Sequence, residues 1–215
     1  MNLRRLSAEF IGTFFLILVI TMTTYAKVSA DLQPIAIGLM LIGLIYANGY
    51  MSAAMFNPAV TLAFWLRGRI ETKDALAYIA VQFIAGIAAA GLTFGLTMAK
   101  PIVQPLAAPP QYFALIPAIL AEITGTFLMC WVILNVATSK TIEGNSFYGL
   151  AIGATVSGLI YTLGSVSSSV FNPAVAIALD ITQIGNWANL WIYLVGSFGG
   201  AALAALAYRF INRDE

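Results

Sequence analysis

The chain has 215 residues, of which 60% are hydrophobic and 9% charged, with a net charge of +1 and a mean hydropathy of +0.90. Soluble domains carry about 25% charged residues, so this composition excludes an ordinary soluble protein. A transmembrane helix needs about 20 mostly apolar residues, and six such blocks make this a polytopic membrane chain.

In chain order the blocks are Leu6–Met22, Pro34–Met51, Ala75–Met98, Phe113–Ala137, Phe147–Val166 and Leu190–Phe210. The first follows Arg4 and Arg5 and precedes Val28-Ser29-Ala30, which imitates a secretory signal. It is longer than a signal's apolar region and carries Glu9, so it is read as a span. With both termini cytoplasmic, Arg4, Arg5, Arg67, Arg69, Lys73, Lys140, Arg209 and Arg213 fall inside, and Lys27 and Lys100 outside. That distribution follows the positive-inside rule. Short termini without a targeting extension point to a cell membrane.

The sequence is one pattern written twice. Residues 36–60 and 151–175 align without a gap, sharing Gly-Leu-Ile-Tyr and Phe-Asn-Pro-Ala-Val at a spacing of 115 residues. Upstream, Ala8-Glu9 and Gly12-Thr13-Phe14 match Ala121-Glu122 and Gly125-Thr126-Phe127. Three spans per half is an odd number, so the halves enter the membrane from opposite sides and face each other near the midplane. Residues 1–99 form the first repeat and 112–215 the second. The proline-rich stretch 100–111 links them outside the cell.

Asn57-Pro58-Ala59 and Asn172-Pro173-Ala174 each precede an apolar stretch too short to cross. Asn is a favoured N-cap and Pro a favoured first helical residue. Half-helices are therefore expected over 57–67 and 172–181, with the preceding Gly49–Phe56 and Gly164–Phe171 as non-helical descents. Backbone of that kind survives at depth only when buried in protein or lining a watery cavity. Two half-helix N-termini meeting at the midplane would repel cations, while the Asn57 and Asn172 amides offer hydrogen bonds to a passing oxygen. The fold class is an all-α membrane protein: six transmembrane helices and two re-entrant half-helices in an inverted repeat.

These paired triplets, each preceded by Ser-x-x-x-Phe, resemble the major intrinsic protein family, the aquaporins and glycerol facilitators, over essentially the whole chain. The resemblance implies a homotetramer with one pore per protomer, passing water or small uncharged solutes through a midplane lined by the two triplets. The family's outer selectivity filter maps onto Ile37, Ile160, Ser169 and Val175. Its usual arginine after the second triplet is here Val175, followed by Ala176 rather than the Asp common in glycerol-type members. An aliphatic filter implies permeants beyond water: glycerol-like polyols, metalloid acids or other small neutral molecules.

Glu9 and Glu122 are ionisable groups within spans, where such groups are costly. Their matched placement suggests that they brace the re-entrant backbone. Proton coupling through them, making a secondary transporter, is the sharper alternative, and a non-conducting membrane-junction protein is another. Gly91-x-x-x-Gly95 and Gly196-x-x-x-Gly200 read as helix-packing sites. Tyr46 and Tyr161, which are repeat partners, read as core or pore-wall residues. Cys130 stands alone, there is no histidine, and no nucleophile–base pair, metal-spaced cluster or phosphate loop appears. Nothing therefore supports an enzyme, a cofactor, a metal or a nucleic-acid partner.

Overall fold

The computed structural model describes residues 2–26, 28–29, 31–97 and 114–213. The inter-repeat linker over 100–111, Lys27 and Lys100 lie outside the described residues. Among those described, six helices are long and apolar enough to cross a membrane: α1 (Leu3–Tyr25), α2 (Gln33–Ser52), α4 (Thr72–Thr97), α5 (Leu115–Thr138), α6 (Tyr148–Ser167) and α8 (Leu190–Ile211). Two short helices, α3 (Pro58–Leu66) and α7 (Pro173–Ile181), follow α2 and α6. The chain is a multi-pass membrane protein.

The helices pair by repeat. α1 packs on α4, α5 on α8, and α2 on α6 across the two halves; α3 also rests on α8 and α7 on α4. Each short helix is thereby wedged against the last long helix of the other half. Small residues set the closest approaches. A Cβ added to Gly196 would lie 2.3 Å from the Glu122 Cβ, and one on Gly200 would lie 2.4 Å from the Ile123 carbonyl oxygen. These glycines let α8 lie directly on α5. Gly91 and Gly95 differ, since a Cβ on either meets nothing within 4 Å. The outward faces carry Leu39, Ile84, Ile87, Leu203 and Leu206, all exposed, as a surface in contact with lipid requires. Trp187, in the turn before α8, and Trp191, in its first turn, stand exposed, where interfacial aromatic anchors belong.

The descents into the membrane are shorter than the sequence suggests. α2 continues to Ser52 and α6 to Ser167, so Gly49 and Gly164 are helical and the non-helical stretches are 53–57 and 168–172. Glycine at these two positions therefore does not break the helix. The break comes where Ala53 (φ 69°) and Ser168 (φ 72°) take the left-handed conformation, their N–H groups still bonded to the Gly49 and Gly164 carbonyls.

Candidate pore and its lining

Each descent is a run of left-handed residues. Ala53, Ala54 and Phe56 have φ of 69°, 49° and 47°; Ser168, Ser169 and Phe171 have 72°, 51° and 49°. Non-glycine residues held this way cost about 1–3 kcal/mol each and persist only where surroundings over-determine them. Here a buried carboxyl group does so in each half. Glu9 accepts from Ser52 Oγ (2.7 Å), Met55 N (3.0 Å), Phe56 N (2.8 Å) and Gln82 Nε2 (2.9 Å). Glu122 accepts from Ser167 Oγ (2.7 Å), Val170 N (3.0 Å) and Phe171 N (2.8 Å). The ring that ends each descent fits against a glycine: a Cβ on Gly12 would fall 1.9 Å from the Phe56 ring, and one on Gly125 2.2 Å from Phe171.

The two glutamate braces differ at Gln82. Gln82 on α4 completes the Glu9 set and also bonds Thr61 of α3. The residue 115 positions later is Ser197, whose buried Oγ has no partner among the described residues, and Thr61 is matched by Ala176. Sequence reasoning missed Gln82, although an amide inside an apolar span was a visible signal. It also missed Ser52 and Ser167, although both stand in the quoted Ser-x-x-x-Phe pattern.

After each descent the chain turns extended at Asn57 (φ −157°) and Asn172 (φ −148°), and Pro58 or Pro173 starts the half-helix. Asn57 Oδ1 accepts from Ala59 N at 2.8 Å, and Asn172 Oδ1 from Ala174 N at 2.9 Å. The amides then cross the pseudo-two-fold axis. Asn57 Nδ2 donates to the Phe171 carbonyl (2.9 Å), and Asn172 Nδ2 donates to the Phe56 carbonyl (3.0 Å). An amide nitrogen carries two hydrogens, so each asparagine retains one N–H beyond these bonds.

Both asparagines line a continuous cavity of about 1260 Å³. Its walls come from matched faces of α2 (Ile37, Leu41, Ile45, Gly49) and α6 (Ile152, Val156, Ile160, Gly164). Arg69, Lys140 and Glu143 lie along it toward one end, and Asp31 and Tyr161 toward the other. Ile37, Ile160, Ser169 and Val175 all line it. The Ser169 hydroxyl donates to the Leu159 carbonyl at 3.3 Å, so the four present three aliphatic side chains and one hydroxyl whose proton is already engaged. Pro58, Ala59, Pro173 and Ala174 are buried behind the asparagines and contribute no lining; they begin the half-helices. Neither Glu9 nor Glu122 reaches the cavity.

The family model described as major intrinsic protein matches residues 1–208. The chain belongs to the major intrinsic protein family. Its aquaporins are channels for water or small solutes. Among curated relatives, the chain is 33% identical to aquaporin AqpM of Methanothermobacter thermautotrophicus, covering 98% of each chain. It is 34% identical to a glycerol uptake facilitator protein-like 6 of Lactiplantibacillus plantarum, covering 99% of this chain and all of that one. It is also 32% identical to a probable NIP-type aquaporin of Nicotiana alata, over 99% of this chain and 79% of that protein. The fold matches the X-ray structure of the aquaglyceroporin from Plasmodium falciparum with a TM-score of 0.81, at 18% identity, over 97% and 96% of the two chains.

Proposed function

We propose that this member of the family is a passive pore for water and small uncharged solutes such as polyols or metalloid acids, with the Asn57 and Asn172 amides as its midplane donors. The observation that carries the reading is the crossed pair of asparagines. Each is locked by its own half-helix and by the opposite descent, and each keeps one N–H for a passing oxygen. The N-termini of α3 and α7 meet there, and each contributes about half a positive charge, which disfavours cations at the narrow middle of a pore. Ile37, Ile160, Ser169 and Val175 form the outer filter, and a ring of three aliphatic side chains and one hydroxyl admits less polar solutes than an arginine-bearing ring would.

Glu9 and Glu122 act as braces. Their carboxyl oxygens face the descents and not the cavity, a placement that supports bracing over a transport-coupled proton site. The membrane is a cell membrane with both termini cytoplasmic, as the basic residues suggest. The assembly is a homotetramer, for which the unoccupied Gly91 and Gly95 surface of α4 is a candidate contact.

The test is light scattering from liposomes holding the full-length protein after a hyperosmotic glycerol jump. Fast shrinkage and fast re-swelling are expected, and Val175→Arg should slow the re-swelling while sparing the shrinkage. Unchanged glycerol entry in that variant would refute the filter assignment. Vesicles no faster than empty ones in either phase would refute the pore.

A further inference from the structure

The tyrosines that the repeat pairs are neither core nor a matched pore wall: Tyr46 and Tyr161 are 42% and 48% exposed. Their hydroxyls explain their placement. Tyr46 on α2 donates to the Ser146 carbonyl (3.0 Å) and accepts from Leu150 N (3.1 Å), at the entrance to α6. Tyr161 on α6 donates to the Asp31 carbonyl, at the entrance to α2. Ser146 and Asp31 are themselves 115 residues apart, so each tyrosine performs the same reach into the other half.

Between these bonds the two helices nearly touch. α2 and α6 run antiparallel, Ser157 Oγ donating to the Pro34 carbonyl at 2.9 Å and the Tyr46 ring lying over Gly149. At Gly38 and Gly153, again repeat partners, a Cβ on either would fall 2.7 or 2.6 Å from the carbonyl oxygen of the other. This close approach is backbone on backbone, with the Ser157 side chain packed beside Gly38 and that of Ile42, its repeat partner, beside Gly153. Each tyrosine lies eight residues from its glycine, about 12 Å along the helix.

We propose that Tyr46 and Tyr161 are positioning residues of the pore: α2 and α6 pivot at Gly38 and Gly153, and the two phenols pin the arms and so fix the bore. α2 and α6 supply the matched pore-facing series Ile37–Leu41–Ile45–Gly49 and Ile152–Val156–Ile160–Gly164. A rotation of about 5° at the crossing moves the pinned ends by roughly 1 Å over that lever arm. Pore diameter is a main determinant of which neutral solutes pass, so a shift of that size changes selectivity. This inference rests on the reading of the α2–α6 cavity as the conducting path.

The experiment compares wild type, Tyr46→Phe, Tyr161→Phe and the double variant, all full length in liposomes. Phenylalanine keeps ring packing, including the edge contact of residue 46 with Tyr148 at 5.4 Å, and removes only the hydroxyl. Amide exchange at Leu150 should quicken roughly three- to tenfold in Tyr46→Phe, the range one neutral hydrogen bond contributes, and stay unchanged in Tyr161→Phe. Permeabilities to water, urea, glycerol and erythritol should shift toward the larger solutes, most in the double variant. Unchanged exchange at Leu150 overturns the latch. Quickened exchange with an unaltered ranking of the four permeants overturns the control of bore. Wild-type vesicles no more permeable than empty ones would refute the pore reading and the bore claim with it, while the exchange result still tells whether the latch exists.

Discussion

Glu9→Gln and Glu122→Gln make a paired experiment whose outcome the hydrogen-bond geometry ranks in advance. Glutamine keeps one acceptor oxygen, which can still serve the two donors on Oε1: Ser52 Oγ and Met55 N in the first half, Ser167 Oγ and Val170 N in the second. Its new NH₂ group must then face whatever donated to Oε2. Beside Glu122 that is the Phe171 N–H alone; beside Glu9 it is the Phe56 N–H and the Gln82 amide together. A buried donor without a partner costs about 1–3 kcal/mol. Glu122→Gln should therefore lose about 1–3 kcal/mol, and Glu9→Gln about 2–5 kcal/mol, since Gln82 can rescue itself only by disturbing its bonds to Thr61. Thermal unfolding of the detergent-solubilised variants, followed by circular dichroism, should rank wild type above Glu122→Gln and that above Glu9→Gln. The reverse order of the two variants, or a Glu9→Gln protein as stable as wild type, would refute the bracing argument. Solute flux abolished in a Glu122→Gln protein of undiminished stability would instead favour the proton-coupled transporter.

Two further perturbations probe the same scaffold. Gly12→Ala and Gly125→Ala each place a methyl group inside the van der Waals envelope of a buried ring, 1.9 Å from Phe56 or 2.2 Å from Phe171. Overpacking of this kind costs about 1–3 kcal/mol. The displaced phenylalanines carry the carbonyls that hold Asn172 and Asn57, so lower glycerol and water permeability per folded protein is expected beside a lower unfolding temperature. Gln82→Ala removes donors to Glu9 and Thr61 and should cost about 1–3 kcal/mol. Ser197→Ala, at the matching position, removes a hydroxyl with no described partner and should leave the unfolding temperature unchanged or raised. Equal losses in the two variants would show that the halves are braced alike.

Most of the scaffold was legible because membrane burial writes itself in composition and the duplication repeats every signal. Six apolar blocks had to be spans, and the short stretches after Asn57 and Asn172 could not be. The helix ends were less legible. Gly49 and Gly164 looked like breaks, yet a glycine within an apolar helix is tolerated where a partner helix needs the space; the Tyr148 hydroxyl lies 2.9 Å from where a Gly49 Cβ would be. The actual breaks fall at alanine and serine, whose left-handed backbone no local propensity announces. That conformation is imposed from elsewhere, by Glu9 and Glu122 more than 40 residues away in sequence.

The same distinction explains which residues of the candidate pore could be read. Asn57 and Asn172 were visible because capping is local: the Oδ1 that starts each half-helix is specified by the triplet itself. The second bond of each amide, to the carbonyl of Phe171 or Phe56, spans 114 or 116 residues and becomes visible only when the halves are placed face to face. Tyr46 and Tyr161 belong to this second kind. Their conserved spacing within the duplication marked them as a pair, but an aromatic ring in an apolar span looks like core filling until the acceptor is known. The acceptors are backbone carbonyls at Ser146 and Asp31, groups that carry no side-chain signature. An inverted repeat thus reveals from sequence which residues act in pairs, and hides what each pair holds, because the held group is main chain: of the same half for the glutamates, of the opposite half for the asparagines and tyrosines.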